Sequence, residues 1–135
     1  MDRDLRTRVG RPDEADALTA LIRRAKASWG YPPEWMQAWQ AELSIGADFI
    51  ARNRVIVASC DAAAVVGFYG LELRAAAAHL EHLWVEPQRM RQGVGSALLG
   101  MACREAREAG YAWLELVADP NAVGFYRRHG ALKVG

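Results

Sequence analysis

Cysteine and histidine are scarce in this 135-residue chain, and each shortage excludes something. Cys60 and Cys103 lie far apart, outside any CxxC or Cys/His cluster. That removes the usual zinc frameworks and a disulfide scaffold, and both read as small buried hydrophobes. Three scattered histidines add no ligand spacing, so no metal is expected. No apolar stretch reaches the roughly 18–20 residues of a membrane span. Met1 to Arg11 is charged and lacks the apolar segment of a secretion signal. The expectation is a cytoplasmic protein with no membrane partner. Seventeen basic residues, 15 of them arginine, face 16 acidic ones. The resulting net charge of +1 gives no general pull toward nucleic acid, and no such partner is expected.

What is present suits one domain spanning 1–135, with 52% hydrophobic and 24% charged residues. A chain of this length buries roughly 65–70% of its unfolded surface, enough for a core without staples. Leu5–Val9 alternates as a first strand. Pro12 then precedes Asp13 as a helix N-cap, with Leu18, Leu21, Ile22 and Ala25 at helical spacing. After Gly30 and Pro32-Pro33, Met36, Trp39 and Leu43 predict a second helix reaching Ser44 or Ile45. Val55–Ala58 and Val65–Leu73 read as paired strands about a turn at Asp61-Ala62, and Ala78–Val85 as a third that stops at Pro87. Gly93–Glu108 is a strong helix with Gly110 past its end, Ala112–Ala118 a strand, and Pro120–Arg128 a short helix closed by Gly130. The order β-α-α-β-β-β-α-β-α predicts an α/β (α+β) fold: a mixed, mostly antiparallel sheet containing a βαβ unit, with helices on both faces.

The segment Pro87-Gln88-Arg89-Met90-Arg91-Gln92-Gly93-Val94-Gly95-Ser96 stands between a strand and a helix. Two glycines one residue apart let backbone approach a ligand closely, and the helix start adds unpaired N–H groups and a positive dipole end. The combination suits a phosphate or pyrophosphate, with Arg89 and Arg91 adding charge. A dinucleotide fingerprint fails because its third glycine would fall on Leu98. A P-loop fails because Gly95 is followed by Gly100-Met101-Ala102 rather than Gly-Lys-Ser/Thr. Taken alone, the two glycines also fit a tight turn that packs a helix on a strand.

The wider stretch LEHLWVEPQRMRQGVGSALL, Leu80 to Leu99, resembles the coenzyme-A motif of the GCN5-related N-acetyltransferases, a strand ending in Val-x-Pro and then (Arg/Gln)-x-x-Gly-x-(Gly/Ala). Met90 occupies the first position of that loop. Asn121 to Gly130, NAVGFYRRHG, is similar to the family's Asn…Tyr…Gly closing motif, and Val65-Val66-Gly67-Phe68 to its hairpin. The resemblance runs over nearly the whole chain. It implies acetyl-CoA as cofactor and direct transfer of an acetyl group to a small-molecule or peptide amine. The family usually continues with two more strands after the position of Gly130. The final strand or strands are therefore expected to be missing: either the chain is truncated or a neighbouring subunit covers the open edge, and a homodimer is expected.

Carried over residue by residue, the resemblance places Leu83, Trp84 and Val85 along the pantetheine and acetyl group. It places Arg91, Gln92, Gly93, Val94, Gly95 and Ser96 around the pyrophosphate, and Asn121 and Tyr126 also at the cofactor. An N–H near Val85 would meet the developing oxyanion, and Tyr126 would protonate the leaving thiolate. The other reading of Tyr126 is an aromatic packed on the sheet beside Phe125. For the base, Glu81 and Glu115 both sit inside strands, where a carboxylate needs a partner or a wet cleft. Structural ion pairing, or no dedicated base at all, is the other reading. Strand parity puts His82 on the face opposite Glu81, as a satisfied sheet histidine. Trp29 and Tyr31, with Glu81, are the candidate acceptor-site residues; their neighbours Trp35 and Trp39 read as helix packing. Rings here would hold a cationic amine by cation–π contact. A non-catalytic acyl-CoA-binding or sensing domain is the alternative.

Overall fold

The computed structural model describes residues 5–60, 64–132 and 134; the expected turn at Asp61-Ala62 lies outside them. Strand β1 (Arg6–Val9) leads through a 3-10 turn at Pro12–Glu14 into α1 (Ala15–Ala27). Short helices α2 (Pro33–Ala38) and α3 (Ala47–Arg52) follow, then β2 (Arg54–Cys60), β3 (Ala64–Leu73) and β4 (Ala78–Val85). The chain ends through α4 (Val94–Glu108), β5 (Leu114–Glu115) and α5 (Val123–Arg128). The strands lie in the order β1-β2-β3-β4-β5, antiparallel throughout except for the parallel pair β4 and β5. This is the mixed, mostly antiparallel sheet with a βαβ unit that the sequence predicts. Among the described residues β5 is the edge strand on its side.

The sheet carries a core on each face. Leu18, Leu21 and Ile22 of α1 and Ile50 of α3 close over Val55, Val57 and Phe68. Val94, Leu98, Ala102 and Ala106 of α4 close over Ala58, Tyr69, Leu71 and Leu80 on the other face. At Gly67 a Cβ would stand 2.8 Å from the Trp84 carbonyl oxygen and 3.1 Å from Leu98, so only glycine lets β3, β4 and α4 meet there. The end of α4 follows its glycine signal: Gly110 turns left-handed (φ 95°) and Tyr111 N–H bonds the Ala106 carbonyl at 3.0 Å.

Several local expectations are corrected. Asp13 does not cap α1: it lies within the 3-10 turn, and Glu14 instead accepts from the Arg11 N–H at 2.8 Å. The second helix ends at Ala38 rather than Ser44 or Ile45. Arg23 of α1 takes the Gln40 and Leu43 carbonyls at 2.9 and 3.1 Å, and Thr19 accepts from the Ile45 N–H at 3.0 Å. Side chains of α1 thus bind backbone groups that a longer helix would have used itself. The α3 helix was not expected; six residues with one buried apolar position, Ile50, give no periodicity to read. Strand β5 has two residues instead of seven, because the chain leaves β4 after the pairs Ala78–Leu114 and His79–Glu115.

Glu14 also receives a bidentate bond from Arg8 (2.9 and 2.7 Å), tying β1 to the start of α1. The Arg8 hydrogen bonds, opposed by burial, bring its carboxyl pKa down to about 2. A carboxylate whose pKa is depressed by folding adds stability above its unfolded pKa and loses it as pH falls through the folded value. Urea midpoints should therefore fall between about pH 4.5 and 2. Glu14→Gln should flatten that fall by on the order of 1 kcal/mol, since Arg8 is half-exposed and the pair is screened.

Candidate active site

Below Glu115 the sheet opens. Strand β4 continues to Val85 while 116–118 diverges from it, and the gap widens into a cavity of about 880 Å³. Its walls are the downstream half of β4, the 87–96 turn and first residues of α4, segment 116–119 and helix α5, with the end of α1 above. Glu86 donates its N–H to the Val66 carbonyl at 2.8 Å, on the β3 side. Successive N–H groups along a strand point to opposite edges. The N–H groups of Val85 and Leu83 therefore face the gap, where β5 has withdrawn.

At one end of the cavity the 87–96 turn forms a cradle of backbone donors. Arg91 (φ 65°) and Gly93 (φ 89°) are left-handed, a backbone course that aims consecutive N–H groups into a concavity. The first intrahelical bond of α4 runs from Ala97 N–H to the Gly93 carbonyl, and no side chain caps the helix. Val94, Gly95 and Ser96 thus begin α4 with unpaired N–H groups, at the positive end of a 15-residue helix. Arg91 and Arg128 add cationic side chains to the lining. His129 accepts or donates at 3.0 Å with the Ser96 hydroxyl, and its other ring nitrogen lies 2.8 Å from the Phe125 carbonyl. That second contact requires an N–H there, so Nε2 of the neutral ring accepts from Ser96.

Of the residues singled out from sequence, Leu83, Trp84, Val85, Arg91, Gly93, Gly95, Ser96, Asn121 and Tyr126 line this cavity, as do Trp29 and Glu81. Gln92 turns away and donates to the Gln88 carbonyl at 3.1 Å. The Val94 side chain is buried in the core under α4, leaving only its backbone to the cradle. Glu115 stands outside the cavity lining, half-exposed, because β5 is still paired with β4 at that point. Tyr126 is packed edge-on to Phe125, with ring centroids 5.1 Å apart, and burial pushes its pKa up to about 12. It therefore holds its proton at neutral pH. Glu81, 44% exposed, reaches the cavity from β4 and lies 3.0 Å from His79.

A bulge explains that reach and corrects the parity argument. Gly70 pairs with His82 but Leu71 with Leu80, so Glu81 is an extra residue in β4. Leu80 joins the core under α4, whereas His82 packs against Phe49 and Phe68 on the other face. Glu81, bonded to His79, shares the His82 side of the sheet instead of opposing it. His82 is the satisfied sheet histidine expected: it accepts from the Trp84 indole at 3.1 Å, and burial lowers its pKa to about 4.

The aromatic segment is also corrected. Tyr31 does not line the cavity; its hydroxyl bonds Asp119 at 3.0 Å and accepts from the Asn121 amide at 3.0 Å. Lys26 is ion-paired with Asp119, and its ammonium lies 5.0 Å over Tyr31 and 5.2 Å over Trp39. The cation held by these rings is thus the chain's own lysine. Burial disfavours the Asp119 carboxylate, but bonds from Lys26, the Asn121 N–H and Tyr31 outweigh it and hold its pKa below the usual value. This clasp, unforeseen because its partners lie 93 positions apart, joins α1 to the segment before α5 and so fixes the cavity's width.

A cradle of donors at one end of a split strand edge matches the shape and charge of a long ligand that is anionic at one end. A family model described as an acetyltransferase (GNAT) domain matches residues 51–130, and the chain belongs to that family. The fold is shared with the PaiA N-acetyltransferase of Thermoplasma acidophilum solved with coenzyme A, at a TM-score of 0.78 and 22% identity, covering 93% of this chain and 86% of that one. A GCN5-related N-acetyltransferase from Ralstonia eutropha gives 0.77 and 19%, covering 96% and 94%. A GNAT family acetyltransferase from Brucella melitensis, in complex with acetyl-CoA, gives 0.67 and 24%, covering 93% and 81%. No curated protein matches by sequence.

Proposed function

We propose that the chain transfers the acetyl group of acetyl-CoA directly to the nitrogen of an amine. The observation that carries this reading is that one cavity holds the donor cradle, the freed edge of β4, Tyr126 and Glu81 together. The groups fit the ligand: a diphosphate matches the N–H cradle with Arg91 and Arg128, and an amide-bearing arm matches a strand edge with unpaired donors. When bound, acetyl-CoA supplies a thioester carbon open to attack and a thiolate as leaving group. Glu81 takes the proton that the acceptor nitrogen must lose, the Val85 N–H stabilises negative charge on the carbonyl oxygen, and Tyr126 donates its proton to the sulfur. Trp29, 40% exposed at the same opening, gives the acceptor an apolar wall.

Calorimetric titration with acetyl-CoA, with NAD and ATP as controls, tests the site; thiol release against a panel of amines tests the reaction. Saturable binding of acetyl-CoA alone, with thiol release on adding an amine, is the expected result. Binding without release from any amine would leave an acyl-CoA-binding domain.

A further inference from the structure

Glu81 and Glu115, which read as competing candidates in the sequence, are joined by a third residue. His79 lies 3.0 Å from Glu81 through Nε2 and 3.3 Å from Glu115 through Nδ1. Its side chain is 13% exposed, while the carboxylates on either side are 44% and 52% exposed. One carboxylate faces the cavity and the other faces outward. Glu72 of β3 stands opposite His79 in register, and Arg74 bonds Glu72 at 2.6 Å and approaches Glu115 at 3.8 Å. The imidazole is thus held by Glu81 of its own strand and Glu115 of β5, with the Glu72 carboxylate of β3 beside it.

An ionised carboxylate only accepts hydrogen bonds, and a neutral imidazole has one N–H. A neutral ring between Glu81 and Glu115 can satisfy one of them; a second proton completes the other bond. The ring is therefore placed to pass a proton from one carboxylate to the other. We propose that His79 is the positioning residue of the base, holding Glu81 at the cavity and relaying the acceptor's proton outward to Glu115. The inference rests on the acetyltransferase reading. An N–H bond of the acceptor ammonium breaks as a Glu81 O–H bond forms. That O–H bond breaks as His79 Nε2–H forms, giving an imidazolium from which both carboxylates accept. The Nδ1 proton then passes to Glu115 and from there to water.

Two measurements test the relay. In the first, ring-nitrogen NMR signals of His79 are followed in the full chain and in Glu81→Gln and Glu115→Gln; each substitution should move a different ring nitrogen. In the second, His79→Gln keeps a hydrogen bond to Glu81 but cannot carry a proton. It should lower kcat roughly tenfold to a hundredfold with the acetyl-CoA KM unchanged. His79→Ala should regain part of that loss when free imidazole is added. Ring signals indifferent to both carboxylates, or a His79→Gln enzyme with the parent kcat, would overturn the relay alone. A parent chain that releases no thiol with any amine would overturn the acetyltransferase reading, and the relay with it.

Discussion

Tyr126→Phe should cut kcat by about two to three orders of magnitude, the range for loss of a positioned general acid. Its affinity for acetyl-CoA should barely change. The ring is held by apolar contact with Phe125 rather than by its hydroxyl, which has no hydrogen-bond partner among the described residues, so phenylalanine keeps the packing. What disappears is a proton. Burial raises the hydroxyl pKa to about 12, so the group keeps its proton across the working range and has it in place to meet the charge that develops on the departing sulfur. Presteady-state thiol release beside calorimetric binding separates the two effects. Parent-like release would remove Tyr126 from the mechanism.

The two glycines of the cradle should respond in opposite ways. Gly93 sits at φ 89°, where a β-branched side chain is strained, and its carbonyl accepts the first bond of α4. Gly93→Val should force the turn out of its left-handed course, re-aim the N–H groups and weaken acetyl-CoA binding by about a hundredfold. Gly95 is an ordinary helical residue, and a Cβ there meets Phe125 at 3.5 Å and Val85 at 3.6 Å, normal contact distances. Gly95→Ala should bind acetyl-CoA within a few-fold of the parent and unfold no more easily, since alanine favours the helix. Calorimetry on both proteins decides it; equal losses would show that the cradle does not depend on the backbone course at Gly93.

Local signals made much of the fold legible. Pro87, Gly93 and Gly110 mark where β4 ends and α4 begins and ends, and all three lie within a few residues of the feature they control. The failures share a cause of a different kind. The end of α2 depends on Arg23 and Thr19 reaching across from α1, and the choice between Glu81 and Glu115 depends on where β4 and β5 part. The side of the sheet that Glu81 takes depends on a bulge, which alternation along one strand does not reveal. Each is a property of two segments meeting in space, so reading one segment at a time finds the candidates without sorting them. Tyr31 shows the same limit: its hydroxyl turns to Asp119 instead of the cavity, while Asn121 lines the cavity and gives its N–H groups to the same carboxylate.

The clasp around Lys26 also bears on what this chain presents to its own acetyl donor. Lysine occurs only at positions 26 and 133, against 15 arginines, and a guanidinium is a poor acyl acceptor. An amine paired with a carboxylate and covered by two rings offers no lone pair for attack. Self-modification therefore has few targets in this sequence, and acetyl groups that appear on added protein or small amines in an assay stand out against a low background.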